Sequence, residues 1–324
     1  MASNIDRRRV NGPESSQPPR FADVHELQSH LEAKTGNQVA ISELEDEVKR
    51  SVVVPGLAPV RRGRGARDLR PIYLQTGLIP QANGSAYLEM GRLKISCAVY
   101  GPRQVRGRQY SGQAELNVEV KLAPYALPKR ARPGKDVESA SLSALVTQAL
   151  LPSIRLDLLP KATLDIYLTV LEADALDEGC AAASATLAST ALADAGVDLY
   201  GLVVGSTAAL YSKRSTGNSQ TQTPVRQPII YLDPTRDEAL AAQSTITLCT
   251  MPALGTVTAL NQSGVTTWKQ TEQALDILHD AAPKIHYVVA QAISDRFKAR
   301  QAATQGTEAE EVDEDRGSQP FRLQ

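Results

Sequence analysis

Cysteine, histidine and aromatic side chains are all scarce in this chain, and each scarcity excludes something. The three cysteines, Cys97, Cys180 and Cys249, are odd in number, far apart and set in apolar or Ala/Ser-rich surroundings. That excludes a disulfide framework and reads as buried, reduced thiols of a cytosolic or nuclear protein. No two cysteines have metal-ligand spacing. Of the four histidines (His25, His30, His279, His286), the last two stand seven apart on an expected helix, too far to share an ion. No metal and no cofactor are therefore expected. No apolar run approaches the ~20 residues that span a bilayer, and MASNIDRRRVNGPESSQPP carries no hydrophobic segment behind its arginines, so no secretory signal and no membrane partner are expected. A formal net charge of −1 leaves no global basic field to draw in nucleic acid, so any such contact must come from a local patch.

The charge that is present is segregated. Arginines crowd residues 61–70 and 103–108, Lys129, Arg130, Arg132 and Lys135 form a third group, and Glu308 to Asp315 is acidic. Residues 1–67 form an N-terminal extension. It holds the Arg7-Arg8-Arg9 triplet, then two short helical patterns (Val24, Leu27, Leu31; Ile41, Leu44, Val48), the second opened by a Ser42-x-x-Glu45 capping box. The stretch VPGLAPVRRGRGARDLRP reads as a Pro/Gly/Arg linker. A folded body is expected over 68–302 and an acidic disordered tail over 303–324.

Within the body, alternation predicts strands over 73–80, 86–90, 93–100 and 114–122. Asn83-Gly84 is the strongest hairpin signal, and Met90-Gly91-Arg92 turns the next pair. Leu142, Leu145, Val146, Ala149 and Leu150 then follow helical spacing up to Pro152. A strand over 162–172 precedes an Ala-rich helix over 179–195, closed by Gly196 in a left-handed cap. Strands are expected over 197–211, 229–232, 245–251 and 256–260, and a long helix over 271–300, kinked at Pro283. The order of elements predicts an α+β domain. Trp268 is expected in the core or an interface. Asp233, Asp237 and Glu238 read as a solvated turn and helix cap around Pro234.

Five landmarks in order carry a resemblance: GSAYLEMG, KISCAVYGPR, TLDIYLTVLEAD, TLASTALADAG and IIYLDPTRDE. Together they resemble the RNase PH family across residues 68–300. Asp6-Arg7-Arg8-Arg9 with Asn11-Gly12-Pro13, and LDPTRDE with MPALGTVTAL, look most like the branch found in the eukaryotic exosome core ring, of the mRNA transport regulator three type. The resemblance implies an RNase PH-like fold of two βαβ-like halves (ribosomal protein S5 domain 2-like). It implies a six-membered ring with other RNase PH-like subunits, S1/KH cap subunits above it, RNA threading the channel and an associated catalytic nuclease. The nucleus, the nucleolus and the cytoplasm are the expected locations.

Active family members need arginines to hold the attacking phosphate and an aspartate for the leaving group. Where the resemblance places the phosphate-binding arginine, this chain has Ala181, within Gly179-Cys180-Ala181-Ala182 and just after Asp177-Glu178. The family's helix-opening Arg-Ser is Glu138-Ser139-Ala140-Ser141, and the place of the catalytic aspartate falls near Gln243 to Thr245 in LAAQSTITL. A subunit without catalytic residues is expected; an active phosphate-dependent 3′–5′ exoribonuclease is the alternative, with Asp233, Asp237 or Glu238 as acid. Arg103, Arg106 and Arg108 are expected to contact RNA phosphates, and so are Arg64 and Arg67 in the RGRG-like stretch. Arg7, Arg8 and Arg9 are expected to dock on a neighbouring subunit, with a nuclear-import signal as the competing reading.

Overall fold

The computed structural model describes residues 58–317 apart from 60, 62, 105–111, 128–129, 131–137, 175–176 and 212–228; the side chains of 177 and 303–317 are not described. The Arg7–Arg9 triplet, the two N-terminal helical patterns and Arg106 and Arg108 lie outside the described residues. All described residues belong to the unit spanning Val53–Gln324.

Two antiparallel hairpins open the body. β1 (Ile72–Thr76) pairs with β2 (Gly84–Met90), and β2 pairs with β3 (Leu93–Gln104). β4 (Glu115–Leu122) is followed by α1 (Ala140–Leu150) and β5 (Ala162–Glu172); β5 inserts beside β3, antiparallel to it and parallel to β4. The resulting sheet has the order β1-β2-β3-β5-β4. A second, wholly antiparallel sheet runs β7 (Ile229–Leu232), β6 (Val204–Tyr211), β8 (Ser244–Met251), β9 (Thr256–Gly264). The short helix α3 (Arg236–Ala241) joins β7 to β8, and α4 (Trp268–Gly317) packs on the second sheet and on β1.

Helix α2 (Asp177–Asp194) lies between the sheets, touching β2 and β3 on one side and β6 and β8 on the other. Every residue from Cys180 to Leu192 is buried. A helix buried all round has no polar face, so its hydroxyls need partners inside, and all but Ser184 find one. Thr186 Oγ1 donates to Ala182 O and accepts from Gly205 N, while Ser189 Oγ accepts from Val203 N. These bonds tie α2 to the entry of β6. Small side chains allow the close approach, and glycine completes it. A Cβ on Gly84 would sit 2.3 Å from Ala191 O, and one on Gly205 would sit 2.4 Å from Ala182 O.

Several expectations change. Asn83-Gly84 is no two-residue hairpin turn: β1 ends at Thr76, seven residues of loop intervene, and Gly84 is the first residue of β2. Its lack of a Cβ serves helix contact, and Asn83 instead accepts from Gly101 N through Oδ1. The Met90-Gly91-Arg92 turn is present, with Gly91 at φ +61°. Gly196 takes the expected left-handed cap at φ +74°. The predicted linker is no linker from Ala58 onward, because it packs on the second sheet through partners more than 170 residues away. Trp268 is 80% exposed, so it is not core. The acidic tail, expected without structure, continues α4 as far as Gly317. Among the described residues, no helix is long and apolar enough to cross a membrane.

Candidate functional site

The N-terminal turn of α2 is where a phosphate is expected in an active relative. A helix start offers free amide groups to an anion, but the surroundings here do not use them that way. Ala181 lines a small pocket with Leu145, Glu178, Thr247, Cys249, Ala259 and Asn261. Burial pushes the Cys249 thiol up to about 12, so it stays a neutral, apolar wall. The one charged side chain in this lining is Glu178, an anion that repels phosphate.

The other two expected positions have structural work. Ser139 caps α1, its hydroxyl accepting from Leu142 N, and its backbone amide donates to Val120 O. Ser143, one turn on, accepts from Val120 N and donates to Ser139 O. Polar residues here fasten α1 to β4. Ser244 and Thr245 are buried at the start of β8, and Gln243 N donates to Leu210 O in β6.

The acids Asp233, Asp237 and Glu238 divide. Asp237 is exposed, whereas Asp233 and Glu238 are buried rather than solvated. Glu238 closes a capping box on α3: Thr235 N donates to Glu238 Oε2, and Glu238 N donates to Thr235 Oγ1. The same carboxylate accepts two hydrogen bonds from Arg61 at 2.8 and 2.9 Å and one from Arg64 at 3.2 Å. Asp233 receives Arg70 as a bidentate pair and also accepts from the Arg70 backbone amide. Burial opposes the Arg70 charge, but the hydrogen bond and charge of Asp233 outweigh it and hold its pKa above the ordinary arginine value. Arg64 moves the other way, because burial and the neighbouring Arg61 charge exceed the attraction of Glu238 and Asp233.

The sequence-predicted RNA contacts are thus not one surface. Arg64 faces Glu238 and Asp233, and its side chain is 15% exposed; the expectation that it meets RNA does not fit this placement. Arg67 is exposed. Arg103, at the end of β3, is exposed too; its guanidinium lies 4.9 Å from the centre of the Tyr100 ring, and Tyr100 meets Tyr167 edge-on at 5.8 Å. No described carboxylate pairs with Arg103. Sequence reasoning missed Arg61 and Arg70 as structural ions. Arg70 stands two residues past Asp68 in a run that reads as linker, and nothing local to it marks Asp233 as its partner.

Two sheets with a buried helix between them, the first holding a parallel β-α-β crossover, define an RNase PH-like fold. The chain belongs to the RNase PH family: residues 68–198 match the family described as the 3′ exoribonuclease family, domain 1. Among its relatives, human exosome complex component MTR3 is 34% identical over 273 residues, 80% of this chain and 83% of that protein. Exosome complex component Rrp41 of Thermoplasma acidophilum is 32% identical over 238 residues, 73% of this chain and 89% of the relative. Among solved structures, a chain of the Archaeoglobus fulgidus exosome with RNA bound to the active site superposes with a TM-score of 0.58 at 23% identity, covering 75% of this chain and 98% of that one.

Proposed function

We propose that this chain is a non-catalytic RNase PH-like subunit of an exosome core ring. It supports 3′–5′ processing and degradation of RNA, including rRNA maturation and mRNA decay, by forming part of the ring wall and touching the RNA that passes. Its partners are the other RNase PH-like ring subunits, S1/KH cap subunits, RNA and an associated catalytic nuclease, in nucleus, nucleolus and cytoplasm. Similarity to human exosome complex component MTR3 along most of both chains supports the assembly. In this reading Arg103, Arg106, Arg108 and Arg67 hold RNA phosphates, and Arg7–Arg9 dock on a neighbour.

The observation that carries the non-catalytic reading is the pocket at Ala181. Phosphorolysis brings inorganic phosphate against a phosphodiester, and two anions meet only where cations neutralise them. That pocket offers no cation: its lining is alanine, leucine, a neutral thiol, the uncharged Thr247 and Asn261, and a glutamate. The test is incubation of the purified chain with a 3′-tailed RNA and inorganic phosphate. No nucleoside diphosphate is expected above the no-enzyme rate, and phosphate-dependent release by the isolated chain overturns the reading in favour of an active exoribonuclease.

A further inference from the structure

We propose that the described residues between Ala58 and Arg70 form a strap, latched by Glu238, that seals the outer edge of the second sheet. β7 is an edge strand: it pairs with β6 on one side only. Such an edge presents unpaired amides and carbonyls that invite another strand. Here the Leu232 amide is taken by Ala66 O at 2.8 Å, and the Tyr231 hydroxyl donates to Pro59 O at 2.9 Å. Between those two points Arg61 lies on the Tyr231 ring, 4.3 Å from its centre, and reaches both oxygens of Glu238. The Arg61 side chain is only 4% exposed. Beneath it, Tyr211 packs against Tyr231 at 4.9 Å and donates its hydroxyl to Glu238 O. Ala58 completes the cover over Ala209, Tyr211 and Ala241.

Glu238 is the bolt because it serves two structures at once. One oxygen, Oε2, accepts from the Thr235 amide that starts α3 and from Arg61 and Arg64 on the strap. Arg61 and Arg64 are therefore held inward against this carboxylate rather than presented as surface cations. Arg70, fastened to Asp233, anchors the other end of the strap.

Amide hydrogen exchange on the full-length chain tests this, because the Leu232 amide bonds to the strap whereas the Asp233 amide beside it bonds to Thr207 O within the sheet. Arg61→Met removes the latch from the strap side and leaves the α3 cap in place. Exchange at Leu232 is expected to rise about ten-fold or more, with Asp233 unchanged, since one partner of a buried ion pair is lost. Thr235→Ala weakens the α3 cap without touching Arg61 and is expected to leave Leu232 slow. Unchanged exchange at Leu232 in Arg61→Met overturns the latch. A joint rise at Leu232 and Asp233 overturns the strap as a separable device. Fast Leu232 exchange in Thr235→Ala, with Arg61 intact, shows that the helix rather than the arginine holds the segment and overturns it as well.

Discussion

The arginines at 61, 64 and 70 and the arginine at 103 come from equally basic stretches of sequence, yet they end in opposite environments. The first three are held by Asp233 and Glu238 under the edge of the second sheet. Arg103 stands exposed on an aromatic ring at the end of β3. Density of arginine therefore does not identify an RNA surface. What decides is whether the fold brings a carboxylate to the guanidinium, and that partner lies far away in the chain. Buried pairs of this kind are costly to break and of modest net worth when whole; exposed cations contribute little to stability and remain available to a ligand.

The strongest way to break the contrast is to remove the buried partner. Asp233→Ala leaves the Arg70 guanidinium with Asp174 alone, 3.7 Å away, and is expected to cost about 3–5 kcal/mol in urea unfolding. Asp233 also sits at φ +50°, a conformation that Asn tolerates and Ala does not. Asp233→Asn separates the two effects: it keeps the backbone and an acceptor but not the charge, so its loss should be smaller than that of the alanine variant. Equal stability of the Asp233→Ala variant and wild type would show that Arg70 is solvated and remove the basis of the comparison.

The next test exchanges the roles. Arg103→Gln is expected to leave stability within about 0.5 kcal/mol. It should weaken binding of single-stranded RNA by the assembled complex and lower the slope of log affinity against log salt by about 1, the signature of one lost phosphate contact. Arg64→Gln should do the reverse, lowering stability while leaving the salt slope where it was. If Arg64→Gln changes the slope as Arg103→Gln does, the strap is open when RNA binds.

Legibility in the sequence follows the same division between local and distant causes. Strands with one buried face announced themselves by alternation: Leu93, Ile95, Cys97 and Val99 are fully buried in β3, and the register follows. The α2 helix was visible in its alanines, and Gly196 in its cap. Gly84 misled because a glycine after asparagine signals a turn, whereas its cause lies in the backbone of a helix more than a hundred residues on. The strap misled for the same reason. Glycine, proline and arginine together describe a solvated linker until Glu238, 177 positions from Arg61, supplies the pairing. At the expected phosphate site the substitution at Ala181 could be read directly, because a missing cation needs no partner to be noticed. Glu178 beside it was legible in the same way, but the Cys249 wall, brought in from β8, was not.

The smallest effect is expected at Asp174, and its sign is the informative part. Burial raises the pKa of this carboxyl above its ordinary value, although Arg70 pulls it the other way. A carboxyl that holds its proton more tightly when folded favours the native state at low pH. That advantage is lost as pH rises from the ordinary carboxylate value through the raised one. Asp174→Asn removes the titration. The variant should therefore gain on wild type as pH rises across that window and level off above it, by an amount within about 0.5 kcal/mol at neutral pH, read from urea midpoints at a series of pH values. The gain is small because Asn also gives up the weak attraction to Arg70. If Asp174→Asn instead loses stability as pH rises, the ion pair outweighs desolvation. Asp174 then belongs with Asp233 and Glu238 as a holder of the buried arginines rather than beside them as a bystander.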